Sequence, residues 1–409
     1  MAMRTRMAIV TAALGAAIAG GALAANAAPV SAAANAASVS AAANAAPLGA
    51  HKAAACDAWN GVGLPTSGML TSVVALSACD VWAAGDQGTH SLVVHWNGRS
   101  WTLIRSGVVH WDAGGQPVTI GGTSDRDIWL ATVNADGKGV VEHWNGARFS
   151  QVHFPLPAGT QGALLDGVSA VSRTDAWAVG YSVPTNGPVV TLAEHWNGRA
   201  WSVVPSADPA TQGTQVLGSE DLLYAVSARP DEAWAVGNFF NAALDGQSTL
   251  TERWNGKAWT WVKSPNAARF NQLDAVSADS PSDAWAVGYD GGLASVGLVE
   301  HWNGTAWKLV AFPDPGRDGK NRPSSELSGV SALGPDDVWV CGLYPVPGGQ
   351  LRTLLAHWNG TSWQQIATPP SVKLTNLLNA ISAPAPGDIW SVGGTTTVKG
   401  VQQPIALHR

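Results

Sequence analysis

Apolar and small or polar residues alternate along this chain in short runs, and the runs recur. The clearest run reads DAWAVG, around Trp177 and Trp285. In an extended strand it places Trp and Val on one side and the two alanines on the other. Variants stand as DVWAAG at Trp82, DIWLAT at Trp129, EAWAVG at Trp234, DVWVCG at Trp339 and DIWSVG at Trp390. These seven copies lie 47, 48, 57, 51, 54 and 51 residues apart. A second run ends in His-Trp-Asn-Gly at Trp96, Trp144, Trp196, Trp302 and Trp358, and in Arg-Trp-Asn-Gly at Trp254. Five residues beyond that Trp comes Trp101, Phe149, Trp201, Trp259, Trp307 or Trp363. A third run precedes the acid: GVSA at Gly167 and Gly329, AVSA at Ala225 and Ala275, and AISA at Ala380.

Each unit reads as four short strands. The VSA run is the first, the WAVG run the second, the segment ending in HW the third, and the segment opening on the next Trp the fourth. Asn-Gly between third and fourth is a hairpin signal, because both residues tolerate positive φ. Four-stranded units repeating at this length predict a β-propeller, all-β, with seven four-stranded blades. The last unit stops at Arg409 with His408 in the position of the repeat His but no Trp-Asn-Gly after it. Ala58-Trp59-Asn60-Gly61 supplies that piece at the other end. The expectation is a ring closed by N-terminal residues that complete the last blade, hiding the strand edges.

Composition agrees with short buried strands and tight turns: 46 Gly, 21 Trp and only 13% charged residues. The N-terminus changes the picture. Arg4 and Arg6 precede an apolar run, Met7 to Ala24, and Ala25-Asn26-Ala27 fits a small-residue cleavage site. Residues 1–27 are therefore predicted to be a signal peptide. Residues 28–55 form an Ala/Ser/Asn-rich low-complexity spacer, and residues 56–409 the propeller. Losing Arg4 and Arg6 moves the formal charge from −6 to −8, with no basic stripe, which argues against nucleic acid as a partner. No later run is long enough to span a bilayer. An exported chain can hold a disulfide, and Cys56 and Cys79 are expected to pair, leaving Cys341 as a small buried hydrophobe. The expected product is a secreted, extracellular or surface-associated monomer.

The order of a strand ending in Gly, a variable loop, an aromatic hairpin and a further loop resembles kelch-type propellers of the galactose oxidase superfamily. Gly180-Tyr181 and Gly237-Asn238 stand where kelch repeats carry a glycine doublet, and Trp-Asn replaces Tyr-Asp. The DAWAVG…HWNG order is also similar to exported propellers of high-GC Gram-positive bacteria. The resemblance covers residues 56–409 and carries no activity with it. A copper-radical oxidase would need a crosslinked Tyr and Cys with two His. Tyr344 and Cys341 are close in sequence but lack matching His. A sialidase-like hydrolase would need three convergent Arg, which the blades do not supply.

Residues repeated in every unit read as structural, since symmetric copies cannot all meet one ligand. That covers His95, His143, His195, His301, His357 and His408, and Glu142, Glu194, Glu252 and Glu300. It also covers Asp80, Asp127, Asp175, Asp283, Asp337 and Asp388, expected to brace turns. No metal, cofactor or catalytic residue is predicted. Function is expected where the repeat breaks, in the long loops that share one face. The candidate ligand-binding residues are Trp111, Tyr181, Phe239, Phe240, Tyr289, Arg317, Arg322 and Tyr344. The expected role is a non-catalytic module binding an extracellular or cell-wall glycan, or a protein. The alternative is a secreted carbohydrate-active hydrolase or oxidase.

Overall fold

The computed structural model describes residues 64, 67–88, 90–107, 118–210, 220–241, 245–291, 295–317, 323–369, 375–397 and 400–409. They are all-β. The first sheet holds β1 (Met69–Ser77), β2 (Asp80–Asp86), β3 (Ser91–Trp96) and β4 (Trp101–Ile104). The second holds β5 (Thr119–Ser124), β6 (Asp127–Val133), β7 (Gly139–Trp144) and β8 (Phe149–Val152). The third holds β9 (Thr160–Ser172), β10 (Asp175–Pro184), β11 (Val190–Trp196) and β12 (Trp201–Val204). The fourth holds β13 (Asp221–Arg229), β14 (Glu232–Asn241), β15 (Gly246–Trp254) and β16 (Trp259–Trp261). The fifth holds β17 (Asn271–Ser280), β18 (Asp283–Gly291), β19 (Ser295–Trp302) and β20 (Trp307–Leu309). Each is an antiparallel meander in chain order.

After a small hairpin of β21 (Gly316–Arg317) and β22 (Pro323–Ser324), the rest joins one seven-stranded sheet. It contains β23 (Glu326–Ala332), β24 (Val338–Val346), β25 (Gln350–Trp358), β26 (Trp363–Gln365), β27 (Thr375–Ala385), β28 (Asp388–Thr396) and β29 (Gln402–His408). The expected count of seven is thus corrected: the structure has five four-stranded blades, not seven. The reason is local. A parallel bridge links neighbouring sheets at Lys138↔Ala163, Val189↔Glu220 and Gln247↔Phe270, each with at least one residue outside the strands. In the last copies the bridge, Leu351↔Thr375, falls inside β25 and β27 and fuses their sheets.

The Trp of each acid-x-Trp run packs between neighbouring sheets. Trp129 lies 5.0 Å from Trp196 and 5.2 Å from Trp201, ring centroid to centroid. Trp177 meets Trp254 and Trp259 in the same way, at 4.9 and 5.0 Å. The second Trp of each pair stands edge-on, the T-shaped arrangement aromatic quadrupoles favour. A serine adds a polar link. Ser169 Oγ accepts from Ala228 N, Ser227 from Ala278 N, Ser277 from Ala332 N, and Ser331 from Ala383 N. The VSA run is therefore both a strand and a staple to the next sheet.

The segment predicted to complete the last blade, Ala58 to Gly61, lies outside the described residues. What meets the first sheet among the described residues is a packed face. Strand β1 lies against β27 and β28. Trp390 sits 6.0 Å from Trp96 and 5.8 Å from Trp101. Ala75 N donates to Ser382 Oγ at 3.0 Å, and Asn379 Nδ2 to the Leu70 carbonyl at 2.7 Å.

The Gly of WAVG has a steric cause. One residue of the first strand, such as Asp166 or Tyr224, is bulged out of the pairing. A Cβ at Gly180 would then lie 1.9 Å from the Leu164 carbonyl oxygen. The second sheet carries Thr132 instead, and there the pairing of the first two strands begins only at Thr119, opposite Ala131.

Candidate functional site

The two ends of the sheets differ. At one end the Asn-Gly hairpins repeat closely. Asn197 Oδ1 accepts from the N–H groups of Arg199 and Ala200, and Gly198 has φ +85°. Asn97, Asn145, Asn255, Asn303 and Asn359 do the same in their turns. Near this end His Nε2 and Asp Oδ1 meet at 2.6 to 2.8 Å in six copies, from His95–Asp80 to His408–Asp388. Each His ring also stacks on the Trp of its run, with centroids 4.1 to 4.5 Å apart. The aspartates thus pair across the second and third strands, and Asp127 also accepts from Thr123 Oγ1 across the turn before it. In the fourth blade the pair is rewritten as a unit. Arg253 Nε donates to Glu232 Oε1 at 2.7 Å, and its guanidinium lies 5.5 Å over Trp234. Acid and base change together while the Trp stays, so this set is scaffold.

The candidate residues fall at the other end. Tyr181, Phe239 and Tyr289 are buried, at 5, 9 and 7% exposure. Phe240 and Tyr344 are half-buried. Arg317 lies in β21, which packs on β24, so its strand runs beside that of Tyr344. Trp111 and Arg322 lie outside the described residues. Alternation along β10 puts Tyr181 on the side of Trp177 and Val179, facing the fourth blade. Phe239 belongs to the same core as those two residues. The structure therefore brings Tyr181 and Phe239 into one seam, between the third and fourth blades.

That seam holds more than its aromatics. Asp221 pairs with Phe239, Ala235 with Glu252, and Glu252 with Trp261, so all project from the same side of the fourth blade. Trp261 is 46% exposed and its ring stands edge-on to Phe239 at 5.9 Å. It escaped the sequence reading, although it and Trp111 are the two tryptophans outside the repeat positions. At its register the other blades carry Leu103, Gln151, Val203 and Leu309.

Facing this wall is the loop that leaves the third blade. Ala207 N donates to Glu252 Oε2 at 3.1 Å, and Ala210 N to Asp221 Oδ1 at 3.1 Å. Thr191 donates to Asp208 Oδ1 through its N–H at 2.8 Å and its hydroxyl at 2.9 Å. Burial pushes the Asp221 carboxyl up to about 7 and that of Glu252 up to about 8, outweighing the N–H groups they accept. Asp208 and Glu220 are raised by burial as well. An exposed indole can offer a flat apolar face to a hydroxyl-rich ligand. Among the described residues no three His, Cys, Asp or Glu side chains could together hold a metal ion.

Solved structures resemble the whole of this architecture. YCF48 from Cyanidioschyzon merolae aligns over 84% of this chain and 97% of its own, at 15% identity and a TM-score of 0.50. YCF48 bound to D1 peptide aligns over 84% and 93%, also at 15% identity and 0.50. An ulvan lyase of a new polysaccharide lyase family, bound to -[GlcA(1-4)Rha3S]-, aligns over 85% and 92%, at 11% identity and 0.54. The chain is a β-propeller. At these identities the likeness is one of fold. No protein-family model matches the sequence, and no curated protein matches it. No helix among the described residues is long and apolar enough to cross a membrane.

Proposed function

We propose that this β-propeller is an exported, non-catalytic binding module whose ligand is an extracellular glycan. The ligand would be held at the outer mouth of the seam between the third and fourth blades. The observation that carries the reading is Trp261, an exposed indole where the other blades hold an aliphatic residue or Gln. Phe239 backs it edge-on, and carboxyls lie behind it. The kelch-like assignment and the monomeric state are part of this proposal.

The test is a titration of the mature protein with wall and plant polysaccharides, followed by Trp fluorescence. One glycan is expected to give a saturable change. Trp261→Leu should weaken it at least ~10-fold without affecting folding, since Leu103 and Leu309 occupy that register in other blades. Unchanged binding by the Leu variant would remove the site. A flat response across the panel would point to a protein ligand, with pull-down from culture supernatant as the next step.

One observation favours the enzymatic alternative. Burial shifts Asp221 and Glu252 toward the protonated form that a general acid needs. Against it, Glu252 is fully buried, and Glu142, Glu194 and Glu300 recur at its register in other blades. Release of reducing or unsaturated ends during the titration would reverse the choice.

Export carries its own check. Cys79 is engaged in a disulfide, while Cys341 is free and buried, its thiol pushed up to about 12 by burial. With Cys56 as the proposed partner, the secreted protein should begin near residue 28. Intact mass should then show one alkylatable thiol without reductant after unfolding, and three with it. Three without reductant would refute the pairing.

A further inference from the structure

Asp208 and Asp221, between the third and fourth blades, have uncharged counterparts one seam further on, where Glu300 stands at the register of Glu252 and is raised by burial as well. There Thr249 N donates to Asn266 Oδ1 at 2.9 Å, as Thr191 N does to Asp208. Ala267 N and Ala268 N donate to Asn271 Oδ1 at 2.9 and 3.0 Å, as Ala210 N does to Asp221. The hydroxyl pairs match too: Thr249 and Ser264 meet at 2.6 Å, and so do Thr191 and Ser206. Asn271 opens β17 as Asp221 opens β13. The fold needs an acceptor oxygen at each place, and an amide meets that need. The carboxyls supply the same oxygens and add charges that pH can turn on.

Those charges have nowhere to spread. The outgoing loop contributes Asp208, β13 contributes Asp221 with Glu220 just before it, and β15 contributes Glu252. Strand β10 contributes the Tyr181 phenol. The charges that act on these acids are one another's: Asp208 bears on Asp221, and both bear on Glu252. A first negative charge is supported by the N–H groups of Thr191, Ala207 and Ala210. A second and third add repulsion where Asp221 Oδ2 and Glu252 Oε1 have no hydrogen-bond partner among the described residues.

We propose that Asp208, Asp221 and Glu252 form a pH-sensitive latch that fastens the 205–210 loop of the third blade to the fourth blade when protonated and loosens it as they ionise. The sign follows from where the protons sit. In the unfolded chain these acids ionise near their ordinary values, 3.8 for Asp and 4.5 for Glu. In the folded chain Asp221 and Glu252 keep their protons to about 7 and 8. The folded seam thus binds the extra protons, and its stability falls as pH rises from about 4.5 to about 8.

Hydrogen exchange of the mature protein, read by mass spectrometry and corrected for intrinsic rate, tests this. Peptides covering Ala207 and Ala210 are compared with those covering Ala267 and Ala268, which donate to the Asn271 amide, so that the ratio isolates Asp208 and Asp221 from the buried glutamate present in both seams. In the wild type the protection ratio between the two seams should fall at least ~10-fold from pH 5.5 to pH 8. In Asp208→Asn/Asp221→Asn, for which Asn266 and Asn271 are the built-in template, the ratio should stay level. Glu252→Gln alone should reduce the fall. A level ratio in the wild type, or an equal fall in the double variant, would overturn the latch.

Discussion

Trp390→Ala is expected to lower the unfolding free energy by about 3–5 kcal/mol, the range for deleting a large aromatic from a packed core. Trp390 is fully buried. It contacts His408 in its own sheet at 4.1 Å, and Trp96 and Trp101 in the first sheet. It shares a core with Leu70, Val73 and Val94. One truncation therefore opens a cavity at the place where the end of the chain meets its beginning. Neighbours cannot refill it easily, because each is fixed by its own sheet. Equilibrium denaturation in urea measures the loss, with Trp261→Leu as the exposed control within about 0.5 kcal/mol of wild type. A loss below about 1 kcal/mol for Trp390→Ala would mean that the contact between last and first sheets does not depend on this ring.

Glu194→Met should stabilise the protein, and more so at alkaline pH. Both carboxyl oxygens of Glu194 are buried without a hydrogen-bond partner among the described residues. Two of its counterparts fare better. Glu142 accepts from Ser106 Oγ at 2.5 Å and Gly107 N at 3.2 Å, and Glu252 accepts from Ala207 N. Phe154 stands where Ser106 stands one seam earlier, five residues past the repeat aromatic, and leaves Glu194 nothing to accept from. Burial alone pushes its carboxyl up to about 9. Between about pH 4.5 and about 9 the folded chain holds a proton that the unfolded chain has released, so stability falls as pH rises through that window. Removing the carboxyl should add about 2–4 kcal/mol at pH 8 and about 1 kcal/mol at pH 4.5. Denaturation of both proteins at the two pH values decides it. An equal gain at both would show that packing, not ionisation, governs the site.

The strand pattern was readable because it is local. Period-two alternation around each Trp, the Asn-Gly turns and the recurrence of both depend on residues within one unit. The packing role of the tryptophans followed from the same alternation. One signal was present but unused: Glu232 and Arg253 replace Asp and His within one unit, a paired change that marks direct contact. Trp261 was similarly visible as a Trp off the repeat. The buried state of Tyr181, Phe239 and Tyr289 was not readable, since whether a loop-end aromatic faces solvent or a neighbouring sheet depends on that neighbour.

What the sequence by itself determined is the unit: which residues form strands, which turn, and which side chains face a neighbouring sheet. Those choices are set by φ preferences and burial within some fifty residues. The tertiary structure alone decided how units meet. The fusion of the last strands into one sheet turns on a single bridge between Leu351 and Thr375. The carboxyls of the third and fourth blades became a cluster because a loop from one blade lands on strands of the next. Both outcomes depend on contacts between residues of different units, and no periodicity within a unit encodes them.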